Sequence, residues 1–407
     1  MTRLKASQSI DPVRATALYS RSDLYSYESL LTEKELALLG RLRTFLDQEA
    51  RPLLNDYWER AETPIQLRRP MAELNLASPP ELCGDGAEPR HLFVGFRNFE
   101  LARTDSSVGI LYNGQVGMFR TLVREGGSRE QAAEWDPLIT SFEMTGAFAL
   151  TEPEHGSDVA RGLSTTARRV GNKWVLNGTK RWIGNAAFSE YIIIMARDVA
   201  DGEVKAFMAR SDAPGMQLEK IERKISLRMV NNSDILITDV EVDESYRLQN
   251  INSFSDVNAI LRSLRPDVAW NAAGLQAGAY EAALEYVLER QQFGRPLASF
   301  QLTQEKLVRM LGNVTASLGM AVRLAQLRES GIERDEDSAM AKTWICDRMR
   351  ETVALAREVV GGNGITLDAG VARFFTDAES LYSYEGSREI NTLIVGRAIT
   401  GYSAFVN

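Results

Sequence analysis

The sequence is poor in the residues that build metal centres and disulfide frameworks. Its 407 residues include two cysteines, Cys83 and Cys346, and two histidines, His91 and His155. The cysteines are too few and too far apart for a thiolate metal site or a disulfide scaffold, and their scarcity suits a reducing cytoplasm. Two histidines nearly exclude a histidine-based metal centre and leave a Ser-His-Asp triad few candidates. No G-x-S-x-G elbow supplies the nucleophile for one. No run approaches the roughly 18 apolar residues of a membrane span. The opening MTRLKASQSI has no apolar signal core, and the closing GYSAFVN carries no S-K-L-type address. Basic residues are outnumbered 55 to 47, for a net charge of -8. That sign argues against nucleic acid or an anionic membrane as the main partner. The expectation is a soluble, cytoplasmic protein with no metal.

What is present is ordinary globular material, 44% apolar and 25% charged, in a length that suggests two or three structural units. The first third reads as helical. Thr32 and Glu35 have capping-box spacing, and Leu36, Leu39, Leu42 and Leu46 mark one face before Pro52 interrupts or kinks the helix. Pro79 to Pro89 reads as a loop, Leu92 to Arg124 as two helices, and Gly126, Gly127, Ser128 and Pro137 as the exit from them. Near residue 145 the pattern changes. Gly171-Asn172 lies between β-prone runs and predicts a hairpin; YIIIMAR (191–197) suits a buried strand; DILITDVEVD (234–243) alternates, with Ile235 and Ile237 on one face. Several short strands so close together favour a small barrel or sandwich. After about residue 250 the helical period returns, predicting helices at roughly 256–291, 301–330, 336–360, 368–380 and 388–401.

Five stretches then become specific: FALTEPEHGSD (148–158), WVLNGTKRWIGN (174–185), ERQQFGRPLASFQ (289–301), VVGGNGI (359–365) and SYEGSREINTLIVGRAITG (383–401). In this order and spacing they resemble the acyl-CoA dehydrogenase superfamily over essentially the whole chain. By motif they are nearest its glutaryl-CoA dehydrogenase branch and the plant short-chain acyl-CoA oxidases. The resemblance implies an α+β fold. It has an N-terminal α-helical domain (1–145), a middle β-barrel domain (146–250) and a C-terminal four-helix bundle (251–407) with the catalytic glutamate. It also implies FAD between barrel and bundle, and a homotetramer in which the dinucleotide end is shared across subunits.

Residue by residue, the resemblance makes Glu385, in Tyr384-Glu385-Gly386, the base that removes a proton α to a thioester carbonyl while a hydride leaves the β-carbon for flavin N5. The backbone N–H of Glu385 would help hold the carbonyl, and Gly386 borders the substrate. Desolvation raises the pKa of a glutamate so placed and makes it a better base. Without the motifs, Glu385 reads as a loop glutamate before a helix capped by Ser387. Leu150 and Thr151 correspond to the loop against the flavin, Ser157 to a position near the CoA arm or FAD phosphate, and Trp182, Ile183 and Gly184 to the stretch behind N5. His155 reads as a loop histidine without an evident partner. Arg290, Gln292, Phe293 and Gln301 match the pyrophosphate and adenine motif, which suits the bidentate phosphate binding of a guanidinium. Glu358, Gly361 and Gly362 belong to the dinucleotide loop, where absent side chains let backbone approach; otherwise the glycines read as a helix stop. Ser387 and Glu389 fall at FAD-contacting positions. Arg265, before Pro266, matches an arginine of the CoA and substrate helix, or else makes a surface ion pair.

Two departures bear on the reaction. The arginine that holds the distal carboxylate in glutaryl-CoA dehydrogenases falls, counting from Arg103-Thr104-Asp105, on Gly109. An unpaired buried carboxylate is costly, so glutaryl-CoA is not the expected substrate. Dehydrogenases commonly have a threonine beside N5 where this chain has Gly184, as the plant oxidases do; water or a backbone N–H can replace the lost hydroxyl. The reading is a dehydrogenase of a short, branched or modified acyl-CoA, giving the trans-2-enoyl-CoA and reoxidised by an electron-transfer flavoprotein. The alternatives are an oxidase using oxygen and a dehydrogenase of carrier-protein-bound acyl thioesters. A monooxygenase on this scaffold would typically lack Glu385, and a cofactor-free helical scaffold would not need Arg290, Thr151 and Trp182.

Overall fold

The computed structural model describes residues 17–84 and 88–405. The opening decapeptide and the middle of the predicted 79–89 loop lie outside these. The order is helices, then a sheet, then helices.

Helix α1 (Glu33–Phe45) starts on the predicted capping box. Thr32 N donates to Glu35 Oε2 at 2.7 Å, and Glu35 N donates to Thr32 Oγ1 at 3.3 Å. Leu38, Leu39 and Leu42 face the core. Pro52 does not end the chain's helical course. It sits where the winding changes, in a 3-10 segment (Arg51–Leu53) between a wider turn (Leu46–Ala50) and the helix resumed over Leu54–Arg60.

The two predicted helices are α2 (His91–Thr104) and α3 (Ser106–Asn113), separated where Asp105 Oδ1 accepts from Ser107 N at 2.8 Å. A wider turn, Gly114–Phe119, carries α3 into α4 (Arg120–Gly126). The reading of 128–137 as an exit is corrected: Ser128 and Gln131 form a second capping box that starts α5 (Arg129–Thr140). Pro137 lies inside α5. Close to the C-terminal end it forfeits little of the ladder, and the buried faces of Trp135 and Ile139 hold the helix down.

The middle region is one curled seven-stranded sheet. Its strands are β1 (Gly146–Ala149), β2 (Thr166–Val170), β3 (Lys173–Gly184), β4 (Tyr191–Asp198), β5 (Val204–Arg210), β6 (Met216–Lys220) and β7 (Asn232–Asp243). The order is β1-β4-β2-β3-β7-β6, with β5 on the other edge of β4. β2 and β3 form the predicted hairpin about Gly171, whose φ is +62°. Along β3, Trp174, Leu176 and Lys180 point inward with period two. The pairing with β7 then slips between Lys180 and Ile183, so Ile183 faces inward and Trp182 faces out.

The last third packs α6 (Phe254–Glu289), α7 (Gln301–Glu329), α8 (Asp335–Val359), α9 (Val371–Ser383) and α10 (Arg388–Thr400). All five fall within a few residues of expectation. α6 lies directly on α2: a Cβ at Gly274 would stand 2.3 Å from Phe99 O, so the backbones meet where no side chain intervenes.

Candidate active site

α9 ends at Ser383 and α10 begins at Arg388, leaving Tyr384, Glu385, Gly386 and Ser387 to turn the chain. The turn is sharp, with φ of +51° at Glu385 and +87° at Gly386. Gly386 accepts that freely, whereas glutamate does so at a cost. Several bonds hold it. Ser387 caps α10, its Oγ accepting from Ile390 N at 3.3 Å, and Asn391 Nδ2 donates to Gly386 O at 2.9 Å and Ser387 O at 3.0 Å. From below, Lys342 of α8, 1% exposed, donates through Nζ to Glu385 O at 3.0 Å and also to the carbonyls of Tyr384 and Gly386. Among the described residues, no carboxylate lies within ion-pair distance of that ammonium.

Glu385 is exposed at the surface of this chain, although many protein atoms lie around its carboxyl. Desolvation therefore pushes its carboxyl up to about 7; Lys342 pulls it down and Asp267 pushes it up. Burial brings the Lys342 ammonium down to about 8, against the pull of Cys346 and Glu385. Cys346, one turn along α8, is pushed up to about 11 by burial and is a closed-off thiol.

A second group joins the strand end to the loop after β1. Lys180 Nζ donates to Glu152 Oε1 at 2.9 Å and to Leu150 O at 3.1 Å, both side chains being shut from water. Glu152 also accepts from the backbone N–H and hydroxyl of Ser164 and Thr165 at 2.6–2.9 Å. One rung above, Arg181 N donates to Thr151 O at 2.8 Å. Leu150 and Thr151 are thereby fixed beside Trp182, Ile183 and Gly184. Trp182, on left-handed backbone (φ +65°), leaves its indole 50% exposed, with the Arg181 guanidinium 5.0 Å from the ring centroid. Gly184 ends the strand opposite Asn232, and Asn185 follows it. Asn185 in turn donates to Ile110 O at 3.4 Å, which ties this group to α3.

A third group is separate. Arg290 caps the end of α6 and, with Gln292, Phe293 and Gln301, is exposed around a two-residue hairpin; Phe293 is 92% exposed. Gly361 and Gly362 lie in a 3-10 turn after α8, joined to α6 where Asn363 Nδ2 donates to the Tyr286 hydroxyl at 2.8 Å. Glu358 pairs with Lys306 at 2.8 Å.

Ser157 is exposed in the loop before residue 159, and Glu389 is exposed in the first turn of α10. Two expectations change. Arg265 is no surface ion pair: it is buried between α6 and α8 with its guanidinium on Asp335, and so clasps two helices. His155 does have a partner, Asp158 Oδ2 at 2.9 Å from Nδ1.

Sequence reasoning passed over Lys342, Lys180, Glu152 and Asp267. Lys342 had a signal: it lies on the buried stripe Ser338, Ala341, Ile345 and Met349, where a lysine needs a polar reason. Glu152 sat inside a quoted motif without a role.

The comparisons with known proteins agree with this layout. The chain matches the family descriptions "Acyl-CoA dehydrogenase, N-terminal domain" over 32–143, "middle domain" over 147–240 and "C-terminal domain" over 254–400. An acyl-CoA dehydrogenase of Bacillus subtilis is 29% identical over 378 residues, covering 91% of this chain and 99% of that protein. The crystal structure of glutaryl-CoA dehydrogenase from Mycobacterium smegmatis superposes with a TM-score of 0.88 at 32% identity, covering 93% of this chain and 98% of that one. A second structure of a glutaryl-CoA dehydrogenase from that organism, in complex with FADH2, gives 0.88 at 30% identity, covering 94% and 98%. This chain belongs to the acyl-CoA dehydrogenase family and is an oxidoreductase.

Proposed function

We propose that the protein oxidises a short, branched or modified acyl-CoA, other than glutaryl-CoA, to its trans-2-enoyl-CoA, with Glu385 as the base. The observation that carries this is Glu385 itself. It is a carboxylate held on a left-handed turn by a buried ammonium, with its proton affinity raised to about 7. A base so tuned is ionised in substantial part at neutral pH, yet accepts a proton readily.

FAD fits the residues present. The half-exposed indole of Trp182 beside Thr151 offers a flat apolar wall, and Gly184 leaves the strand end without a side chain. Cβ atoms at Gly361 and Gly362 would meet nothing within 4 Å, so the turn has open space before it. Leu150, Thr151, Trp182, Ile183 and Gly184 would hold the ring; Arg290, Gln292, Phe293, Gln301, Glu358, Gly361, Gly362, Ser387 and Glu389 would hold the dinucleotide end. When bound, FAD supplies the hydride acceptor. Glu385 takes the α-proton, and Lys342 keeps the Glu385 backbone in place as the carboxylate becomes neutral. Gly386 leaves room for the thioester, and Ser157 borders the CoA arm.

The exposed Phe293 and Arg290 support a homotetramer in which that hairpin reaches a neighbouring subunit's cofactor. The break between Thr140 and Gly146, and that between Asp243 and Phe254, support domain bounds at 145/146 and 250/251. No helix among the described residues is long and apolar enough to cross a membrane. The electron acceptor in this reading is an electron-transfer flavoprotein. Gly184 favours a second reading, an oxidase, because no side chain donates there.

The test is anaerobic addition of butyryl-CoA and related thioesters to the yellow holoenzyme. Bleaching is expected, and Glu385→Gln should keep its flavin while slowing reduction about 10²–10⁴-fold, the range of a lost general base. An unchanged rate removes Glu385 from the chemistry. Admitting air then separates the acceptors: slow recovery means dehydrogenase, rapid recovery with peroxide means oxidase.

A further inference from the structure

Between the end of β3 and α6 lies a set of polar groups left short of hydrogen-bond partners. Asn113 closes α3, and both atoms of its side-chain amide are buried without a partner. The same holds for Asn98 Nδ2 on α2, Asn185 Oδ1 beyond β3 and Asn271 Oδ1 on α6. Asp267 stands one turn before Asn271; burial raises its carboxyl, the Asn98 amide leans toward it, and among the described residues it makes no ion pair.

Two of these groups face one spot. A Cβ at Gly117 would lie 3.7 Å from Asp267 Oδ2 and 4.0 Å from Asn113 Cγ, so the carboxylate and the amide converge over a residue with no side chain. Gly114, next to Asn113, abuts Asn185, where a Cβ would stand 2.6 Å from Nδ2. The spot therefore adjoins the residue that follows Gly184. On the other side, the Asn271 amide lies near the Tyr384 hydroxyl, and the Asp267 charge acts on both Tyr384 and Glu385. The polar set thus stands between the proposed flavin wall and the proposed base, where an acyl chain would run.

The cations nearby are committed elsewhere. Arg97 of α2 donates to Leu76 O and Asn98 Oδ1 at 3.2 Å, and Arg328 of α7 pairs with Glu333 at 3.1 Å. Burial raises the Asp267 carboxyl; both cations pull it back toward the ionised form, but neither reaches it as an ion pair. Each buried unsatisfied group costs its full desolvation penalty, so an alkyl chain seated here would leave the whole set unpaired. A chain ending in a carboxylate would set two anions against each other.

Resting on the reading of this protein as an acyl-CoA dehydrogenase, we propose that the acyl group it oxidises bears a hydrogen-bond donor, a hydroxyl or an amine, received by Asp267 and Asn113. The donor points at the carboxylate, and the Asn113 amide completes the pairing of a hydroxyl oxygen or a second amine hydrogen.

The experiment uses the holoenzyme without oxygen and three matched thioester series of four to six acyl carbons: ω-hydroxy, ω-amino, and the alkyl isosteres ending in methyl. The rate of flavin bleaching and the dissociation constant from the spectral shift are read for each. At one length or more, a donor-bearing thioester should exceed its methyl isostere by about tenfold or more in reduction rate over dissociation constant. Asp267→Leu should abolish that ratio, and Asn113→Ala, a smaller change, should reduce it if the first variant fails to fold. Asp267→Asn separates the two donors, because it keeps a hydroxyl's acceptor and removes an ammonium's counter-charge. Alkyl isosteres equal to or better than both donor series at every length would overturn the proposal while leaving the dehydrogenase reading intact, and would mean that water fills the polar set. A yellow protein that no thioester bleaches would remove the dehydrogenase reading, and this proposal with it.

Discussion

Lys342 Nζ donates to the carbonyl of Glu385 at 3.0 Å, so a buried ammonium on α8 supports the backbone of the residue proposed as base. The same ammonium favours the ionised form of that residue's carboxylate. Position and proton affinity thus depend on one side chain. Lys342→Met keeps the length and removes both effects. The turn, strained at Glu385, loses its carbonyl partner, and displacement of a reacting group by about 1 Å can cost 10²-fold. We expect flavin reduction to slow by about that factor with little change in thioester affinity, and partial recovery in Lys342→Arg. A wild-type rate in Lys342→Met would mean that the turn holds itself.

The acid limb of the reaction carries its own signature. A base works when ionised, so the reduction rate should rise with pH through the Glu385 value, about 7 in the free chain. Removing the Lys342 cation should move that limb upward. Asp267→Asn, which removes a neighbouring anion, should move it downward. Opposite shifts in the two variants, read by stopped flow across pH 5.5–9, identify Glu385 as the titrating group; shifts of the same sign would point to another.

Glu152 and Lys180 make a separate prediction about stability. Burial alone would raise the Glu152 carboxyl, but Lys180, Ser164 and Thr165 hold it down at about 2. Lys180 is itself brought down to about 8 because its burial outweighs its partner, so the pair is ionised at neutral pH. With a folded value below the ordinary 4.5, the unfolded chain takes up the proton first as pH falls. The stability is therefore complete above that ordinary value and is lost between there and about 2. Glu152→Gln should lower stability at pH 7 by about 3–5 kcal/mol, as expected for a buried pair deprived of one partner. The gap from wild type should narrow as the pH falls below 4.5 in urea titrations. A gap that stayed constant with pH would assign the loss to packing.

Most of the architecture was legible because its signals are local. Thr32 and Glu35 announced a helix start, Gly171-Asn172 a hairpin, and the apolar period all five bundle helices. The helix over Arg129–Thr140 was missed because Pro137 reads as punctuation, whereas its stability comes from Trp135 and Ile139 reaching a core that the sequence does not display. Glu385 and Trp182 are singled out through motifs. The support beneath them was not: Lys342 meets Glu385 only across two helices, and Lys180 meets Glu152 only when β3 lies against the loop after β1. The outward turn of Trp182 follows from a slip in register with β7, which no pattern within β3 alone could give.

The last prediction concerns the acid-ended substrate of the structurally similar glutaryl enzymes. In this chain Gly109 on α3 is buried among Leu101 and Ala102, with no cation of its own to offer. Asp267 meanwhile has no ion-pair partner and stands where, in the proposal above, the far end of an acyl chain arrives. A second carboxylate entering there would be desolvated, would lack an arginine and would face an anion, each of which disfavours binding. Glutaryl-CoA should therefore bleach the flavin at least about tenfold less efficiently than its methyl-ended isostere, given that one unpaired polar group alone is enough for such discrimination. Asp267→Asn should recover part of the difference by removing the like charge. Efficient bleaching by glutaryl-CoA in the wild-type enzyme would place a cation in the pocket and return this chain to the glutaryl branch.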